Sequence, residues 1–497
     1  MKNSVLISAG LLCIAKLPAL GSINIDKAPE NSRLINEENN KLNILFIMVD
    51  DMGWPDLGCY GSDLHETPNI DRFAKESMKF TNAYSAAAIC TPTRAALMTG
   101  KHPARLNMTI WHEYSGEPKP GVNDKLISPA TVSNLPLEEY TIAEALKAEG
   151  YYTAHIGKWH LGNAAYYPEA QGFDINIGGT MWGMPYTFWY PFNGWRAIDN
   201  EYRYVPGLED PGADNENLYL TDGLTDEAIK VIKAKKDEPF FMHLSYYSPH
   251  VPLEGKPGYV DYFSEKSRPE LYHNNPVYAA MIASIDENVG RILEEVEKAG
   301  ISDRTVIFFY SDNGGLATPR VNVNNNYPLR SGKGSLYEGG IKVPLIIKWP
   351  GVTRSGSLSD FPVNTMDFYP TILEMANTQG DAEHNKNIDG ISIVPVLNNP
   401  SDTLERKTLF WHYPHYYQNI TTPVSAMKEG NWKLLHYFED DRIEIYNLEK
   451  DPGEQNNLAE KYPEKKAELY KILQDWRKDI NAKFPIYNPD YKPELWN

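Results

Sequence analysis

Residues 44–49 (ILFIMV) set six apolar side chains in a row with no polar alternation, then stop at Asp50 and Asp51. Such a run suits a strand buried on both faces, as in a largely parallel sheet covered by helices on each side. The device returns at residues 306–310, which run into Asp312 and Asn313, and further strands are expected at 151–156, 240–246 and 343–348. Helical patterns fall between them at 141–149, 278–299 and 365–376. The first carries a capping box, Thr141 with Glu144, and ends at Gly150. Strand and helix alternating over this length predict an α/β sandwich with a large, mostly parallel sheet between helices. After Pro400 the character changes to short strands at 409–413, 425–427, 432–437 and 443–446, closed by a helix over 463–480. That pattern predicts a smaller C-terminal antiparallel sheet with a packed helix.

The first residues read as an export signal. Lys2 precedes an apolar run over 5–15, and the small residues Ala19 and Gly21 form the expected cleavage site, giving a signal peptide over 1–21. The run falls short of the ~20 residues a spanning helix needs. No later stretch is apolar enough to span a bilayer, so no stable membrane insertion is expected and the mature chain is predicted to be periplasmic or extracellular. Residues 22–41 are polar and read as a linker. Removing the signal leaves two cysteines, Cys59 and Cys90, too few for a disulfide framework in a chain of 497 residues. A net charge of −18 argues against nucleic acid as a partner. An enzyme for anions would need a basic pocket inside this acidic shell.

In open α/β sheets ligands bind beyond the carboxyl ends of the strands. The segments there are Asp50-Asp51, Lys158-Trp159-His160, Ser248-Pro249-His250, Asp312-Asn313 and the loop Gly332-Lys333-Gly334. Three carboxylates and an amide oxygen make a hard, all-oxygen set suited to Ca²⁺ or Mg²⁺ and not to zinc. One acidic pair alone is equally well a helix cap or a solvated turn; two pairs at two strand ends point to a metal. Cys90 opens a short predicted helix with Pro92 early and Gly100 at its end. Its position favours an anion or a developing negative charge, and a buried structural cysteine is the plain alternative.

The stretch CTPTRAALMTGKHPAR resembles the C-x-P-x-R signature of formylglycine-dependent sulfatases, in which the cysteine is oxidised to an aldehyde after synthesis. ILFIMVDDMGWPDLGCYG, GYYTAHIGKWHLG, the SPH segment, FFYSDNGG, GKGSLYEGG and YNLEKDPGEQNNLA extend the resemblance, in the family's order, over residues 42–458. It implies an alkaline-phosphatase-like α/β sandwich, with a catalytic domain over 42–399 and a C-terminal subdomain over 400–497. It further implies that Asp50, Asp51, Asp312 and Asn313 bind Ca²⁺, with the modified Cys90 facing the metal. Arg94, Lys158, His160, His250 and Lys333 would surround the sulfate and the aldehyde hydrate. Thr93 stands where many members have Ser and keeps the hydroxyl.

Those residue types fit sulfate-ester chemistry. A thiol attacking sulfur leaves an intermediate with no easy exit, whereas one hydroxyl of an aldehyde hydrate can attack and the other can expel sulfate by re-forming the carbonyl. Calcium and Arg94 would stabilise the oxyanion, and Lys158 and Lys333 the sulfonyl oxygens. His160 would serve as base for sulfate expulsion and His250 as acid for the departing alcohol. The aromatic insertion at 180–190 suits a sugar-binding wall or core packing equally; it resembles carbohydrate sulfatases that act on galactose or N-acetylgalactosamine. The expected partners are therefore a sulfated carbohydrate and a formylglycine-generating maturation enzyme. Two rivals are a phosphate or phosphonate ester hydrolase of the same superfamily and a sulfated-glycan binding protein with unmodified Cys90.

Overall fold

The computed structural model describes residues 41–492 apart from 122, 199, 209–216, 318–322 and 419. The expected signal peptide and nearly all of the linker lie outside the described residues. The main sheet has eight strands: β1 (Asn43–Val49), β2 (Met78–Phe80), β3 (Tyr152–Gly157), β4 (Ile175–Ile177), β5 (Phe240–Ser245), β6 (Thr305–Ser311), β7 (Leu345–Lys348) and β8 (Ser357–Ser359). Their spatial order is β8-β2-β7-β6-β1-β5-β3-β4. Every strand is parallel to the rest except β7, which pairs antiparallel with both β6 and β2.

β1 is central and wholly buried, and its side chains alternate between two cores. Ile44, Phe46 and Met48 pack on one side with Phe308, Tyr310 and Phe368. Leu45, Ile47 and Val49 pack on the other with Phe309, Ile285 and Val289. A polar residue within this run would be unsatisfied on whichever face it took, which explains the unbroken apolar sequence.

Helices α1 (Pro68–Lys75), α2 (Cys90–Thr99), α3 (Ile142–Ala148), α4 (Leu220–Lys235), α5 (Pro276–Lys298) and α6 (Phe368–Met375) supply the flanking layers. α3 has its capping box: the Glu144 amide donates to Thr141 Oγ1 at 3.1 Å and the Thr141 amide to Glu144 Oε2 at 2.8 Å. Asn275 caps α5, accepting from the amides of Val277 and Tyr278, with Pro276 in the first turn.

The smaller sheet is an antiparallel meander of β9 (Thr408–Tyr413), β10 (Val424–Glu429), β11 (Trp432–Tyr437) and β12 (Ile443–Asn447). Leu469 and Leu473 of helix α7 (Pro463–Asp479) cover one face through Met427, Leu434 and Ile445. The other face brings Trp411, Ala426 and Leu435 against Tyr84, Ala88 and Ile89. Trp411 Nε1 donates to the Ser85 carbonyl at 2.8 Å, so the small sheet supports the chain segment leading into Cys90.

Three buried histidines, His155, His412 and His415, are pushed down by burial to about 3. Their unfolded value is near 6.5, so between those limits the unfolded chain binds more protons and stability falls as pH falls. Each contributes a slope of up to about 1.4 kcal/mol per pH unit. Urea midpoints should therefore drop sharply between pH 7 and pH 5; an unchanged midpoint would show that these histidines titrate normally.

Candidate active site

Asp50 and Asp51 follow β1, Asp312 and Asn313 follow β6, and parallel pairing of the two strands in matched register sets the four side by side. The Asp51 amide donates to Asp312 Oδ1 at 3.2 Å and Asn313 Nδ2 to Asp51 Oδ1 at 2.7 Å. Asp51 adopts φ 62° and His160 φ 61°. Left-handed backbone at non-glycine residues costs roughly 1 kcal/mol or more, and here it turns both side chains off their strand ends.

α2 delivers Cys90 to this cluster. No side chain caps the helix start, and the Thr91 hydroxyl donates to the His160 carbonyl at 2.9 Å. The Thr93 hydroxyl lies 3.1 Å from the Ala87 carbonyl and accepts from the Ala87 amide at 3.2 Å, a task a serine hydroxyl performs equally. Cys90 Sγ is 3.5 Å from Asp50 Oδ1 and 3.4 Å from Lys333 Nζ.

Each carboxylate faces a cation. Lys158 Nζ donates to Asp50 Oδ2 at 2.7 Å, Lys333 Nζ to Asp51 Oδ2 at 2.9 Å, and Arg94 holds Asp312 Oδ2 through Nε at 3.0 Å and its terminal nitrogen at 2.8 Å. Arg94 also donates to the Lys158 carbonyl at 2.9 Å and to Ser245 Oγ at 2.7 Å, which locks it under the cluster. Burial, offset in part by Lys158, raises Asp50 above the usual carboxylate range. Asp51 ends lower than usual because Lys333, then His250, outweigh its burial. With all three carboxylates ionised, as a bound divalent ion would hold them, they balance the three cations and the protein's own charges in the floor sum to zero.

The oxygen set fits a hard divalent cation. Asp50, Asp51, Asp312 and Asn313 are all buried, and Asn313 Oδ1 has no hydrogen-bond partner among the described residues. Ligand atoms of Asp50, Asp51, Cys90 and His250 lie within 4.8 Å of one another. A divalent ion here would turn the neutral floor positive and draw an anion to it.

Above the floor opens a cavity of about 910 Å³. Cys90, His160, His250 and Lys333 line it, whereas Arg94 and Lys158 lie beneath, fully buried. Trp111, Tyr114, Met184, Arg196, Arg203 and Tyr417 form its walls. The insertion at 180–190 divides: Gly183 and Met184 face the cavity, while Phe188, Trp189 and Tyr190 belong to the core layer. None of the segment's aromatic rings lines the cavity, so the expected sugar-binding wall is not built by them; core packing is the role Phe188, Trp189 and Tyr190 take, and the cavity's aromatic wall comes from Trp111, Tyr114 and Tyr417 instead.

Glu113 has no forewarning in the sequence, because it stands in a single 3-10 turn (His112–Tyr114) far from any strand end. Its Oε2 lies 2.7 Å from His160 Nε2, and its Oε1 accepts from the Gly183 amide at 2.9 Å. The carboxylate accepts a hydrogen bond from Nε2–H and so leaves Nδ1, which is buried without a partner among the described residues, as the lone-pair atom. Burial lowers His160 to about 4 against the pull of Glu113, so at neutral pH it is an uncharged base. Glu113→Gln is expected to lower kcat roughly 10- to 100-fold with KM little changed, since it removes an orienting partner. Losing the carboxylate also lowers His160 further, so the acid limb of kcat/KM should move to lower pH. A limb that stays in place would show that His160 is not the titrating base.

The fold and this floor together define a hydrolase of anionic esters, in which buried cations and a metal-ready oxygen set await negative charge beneath an open cavity. Comparison with known proteins resolves which ester. Residues 42–378 match the sulfatase family model, and residues 332–481 match that of the N-sulphoglucosamine sulphohydrolase C-terminal region. A sulfatase of Formosa agariphila is 33% identical, the alignment covering 87% of each chain. Human N-acetylgalactosamine-6-sulfatase is 29% identical over 90% of this chain and 87% of its own. Among solved structures, Ps i-CgsB superposes with a TM-score of 0.73 at 27% identity, covering 92% of this chain and 94% of its own. The chain belongs to the sulfatase family and is a sulfuric ester hydrolase, with the alkaline-phosphatase-like sandwich. No helix among the described residues is long and apolar enough to cross a membrane.

Proposed function

We propose that the protein hydrolyses sulfate esters on a carbohydrate of the galactose or N-acetylgalactosamine type, using a formylglycine made from Cys90 and a Ca²⁺ ion held by Asp50, Asp51, Asp312 and Asn313. The observation that carries this reading is Cys90 itself, at a helix start on the floor of the cavity, between Asp50 and Lys333. Burial pushes its thiol well above the ordinary value despite Lys158 and Lys333, so as a thiol it is a poor nucleophile. The aldehyde hydrate would supply a hydroxyl nucleophile that carries its own means of releasing sulfate. The ion would supply Lewis-acid stabilisation of negative charge.

The chain's own groups do the rest. Lys333, lining the cavity, neutralises sulfonyl oxygen charge, and Lys158 and Arg94 set the potential from below. His160 accepts a proton at Nδ1, and His250 delivers one to the leaving alcohol. Support for a sugar comes from the relatives: one is named for N-acetylgalactosamine 6-sulfate chemistry, and a neighbour 25% identical with a TM-score of 0.69 was solved with its substrate D-glucosamine-2-N,6-O-disulfate. The cavity is at the upper end of ligand-pocket size, which suits a glycan chain. Export through the signal at 1–21 and conversion of Cys90 by a formylglycine-generating enzyme belong to the same reading.

Mass spectrometry of the Cys90 peptide from active enzyme should show the thiol replaced by an aldehyde, a loss of about 18 Da. Turnover of defined sulfated mono- and disaccharides then tests the substrate; faster turnover of phosphonate or phosphate diesters would transfer the protein to the rival chemistry. Exhaustive chelation should bring the rate below about a hundredth of its starting value, with Ca²⁺ restoring it better than Mg²⁺, which demands a stricter octahedron. Full activity in protein shown to be metal-free by elemental analysis would remove the ion from the mechanism.

A further inference from the structure

A second group of ligand-type side chains lies buried between the loop after β1 and the segment leading into α5. Asp56, His65 and His273 are 0%, 4% and 4% exposed, and one ligand atom from each lies within 4.8 Å of the others. His273 Nδ1 is 2.8 Å from Asp63 Oδ1. A carboxylate in that place accepts a hydrogen bond from Nδ1–H and leaves Nε2 as the lone-pair atom, which is how histidines are prepared for metals.

His273 Nε2 is buried and has no hydrogen-bond partner among the described residues, although Asp56 Oδ1 is 3.3 Å away. That separation matches the edge of a tetrahedron whose metal–ligand bonds are about 2.0–2.1 Å. Asn324 lines the same crevice, donates to both Asp56 oxygens at 3.1 and 2.9 Å, and keeps its own Oδ1 buried without a partner. The His65 ring lies 4.5 Å from that of His273, with Nδ1 2.9 Å from the Asp56 main-chain oxygen.

We propose that Asp56, His65 and His273 form a second metal site, for a zinc-class transition-metal ion, with Asn324 Oδ1 as the fourth ligand. Two imidazoles and one carboxylate select zinc over calcium, the reverse of the all-oxygen set at the strand ends. Tyr278 links the two regions: its hydroxyl donates to Asp56 Oδ2 at 2.7 Å and lies 3.1 Å from the Asp51 carbonyl. The competing occupant of the same geometry is a proton, with His273 an imidazolium between Asp56 and Asp63.

The test uses full-length protein carrying Cys90→Ala and saturated with Ca²⁺, which removes the soft thiol of the first cluster and fills its oxygens. Titration with Zn²⁺ followed by desalting and elemental analysis should leave one zinc per chain. Adding His273→Gln should cut retained zinc at least tenfold with an unchanged circular dichroism spectrum, and adding Asp63→Asn should weaken zinc affinity about 10- to 100-fold. Co²⁺ in place of Zn²⁺ should give tetrahedral visible absorption that Zn²⁺ displaces. A parent that retains no zinc, or equal zinc in His273→Gln, overturns the site and leaves the imidazolium. Should His273→Gln fail to fold, an Asp63→Asn variant with parental zinc affinity overturns it as well.

Discussion

Cys90→Ala is expected to lower kcat/KM for a sulfated sugar by roughly 10⁴- to 10⁶-fold, the scale reached when a nucleophile that works with its own base is removed. Secondary structure and calcium content should stay those of the parent. The placement of α2 does not rest on the sulfur: Thr91 is tied to His160, Thr93 to Ala87, and Arg94 to Asp312, Ser245 and the Lys158 carbonyl. The oxygen-bearing residues are held without it: Asp51, Asp312 and Asn313 bond to one another, and Asp50, which Cys90 touches, keeps its bond from Lys158. Steady-state kinetics beside circular dichroism and elemental analysis separate lost chemistry from lost structure. A variant that keeps a tenth of the parental rate would show that the group made from Cys90 is not the nucleophile.

His250→Ala should divide substrates by their leaving groups. His250 Nδ1 lies 2.8 Å from the Val251 carbonyl and donates to it, which makes Nε2, 3.4 Å from Asp51 Oδ2, the atom that carries a proton in catalysis. Burial and then Lys333 press its pKa down to about 3 against the pull of Asp51, so the free enzyme holds it neutral at pH 7. A bound sulfate anion shifts that balance back toward the charged form. A sugar alkoxide leaves poorly and needs this proton, whereas an electron-poor phenolate does not. The mutation should therefore cost roughly 10²- to 10⁴-fold on a sugar sulfate and little on an activated aryl sulfate bound in the same cavity. Equal losses on both would make His250 a sulfate-binding group and pass the acid role to Lys333.

Much of the frame was legible before any coordinates. The unbroken apolar run of β1 can be buried only from both sides, and the capping box of α3 satisfies its own backbone, so each announces itself within a few residues. The position of Asp50-Asp51 and Asp312-Asn313 after two predicted strands allowed them to converge on one sheet edge, and the adjacent, parallel, in-register pairing of β1 and β6 brings them together. Strands β2, β4 and β8, with three residues each, are too short to show a period. The reversed direction of β7 is likewise silent, since an apolar strand reads the same either way.

What the sequence by itself determined is local: which segments are buried on two faces, where helices start and stop, and which chemical groups stand at the strand ends. Only the tertiary structure decided which loops face one another across the sheet edge. It set Glu113 against His160, Lys333 against Cys90, and Asp56 with His65 and His273, and it sent Phe188 to the core while leaving Met184 at the cavity wall. Periodicity and capping are dictated by sterics and hydrogen bonding over a few residues, so sequence spacing carries them. A contact between distant loops depends on the summed packing of everything between them, and no local pattern encodes that sum.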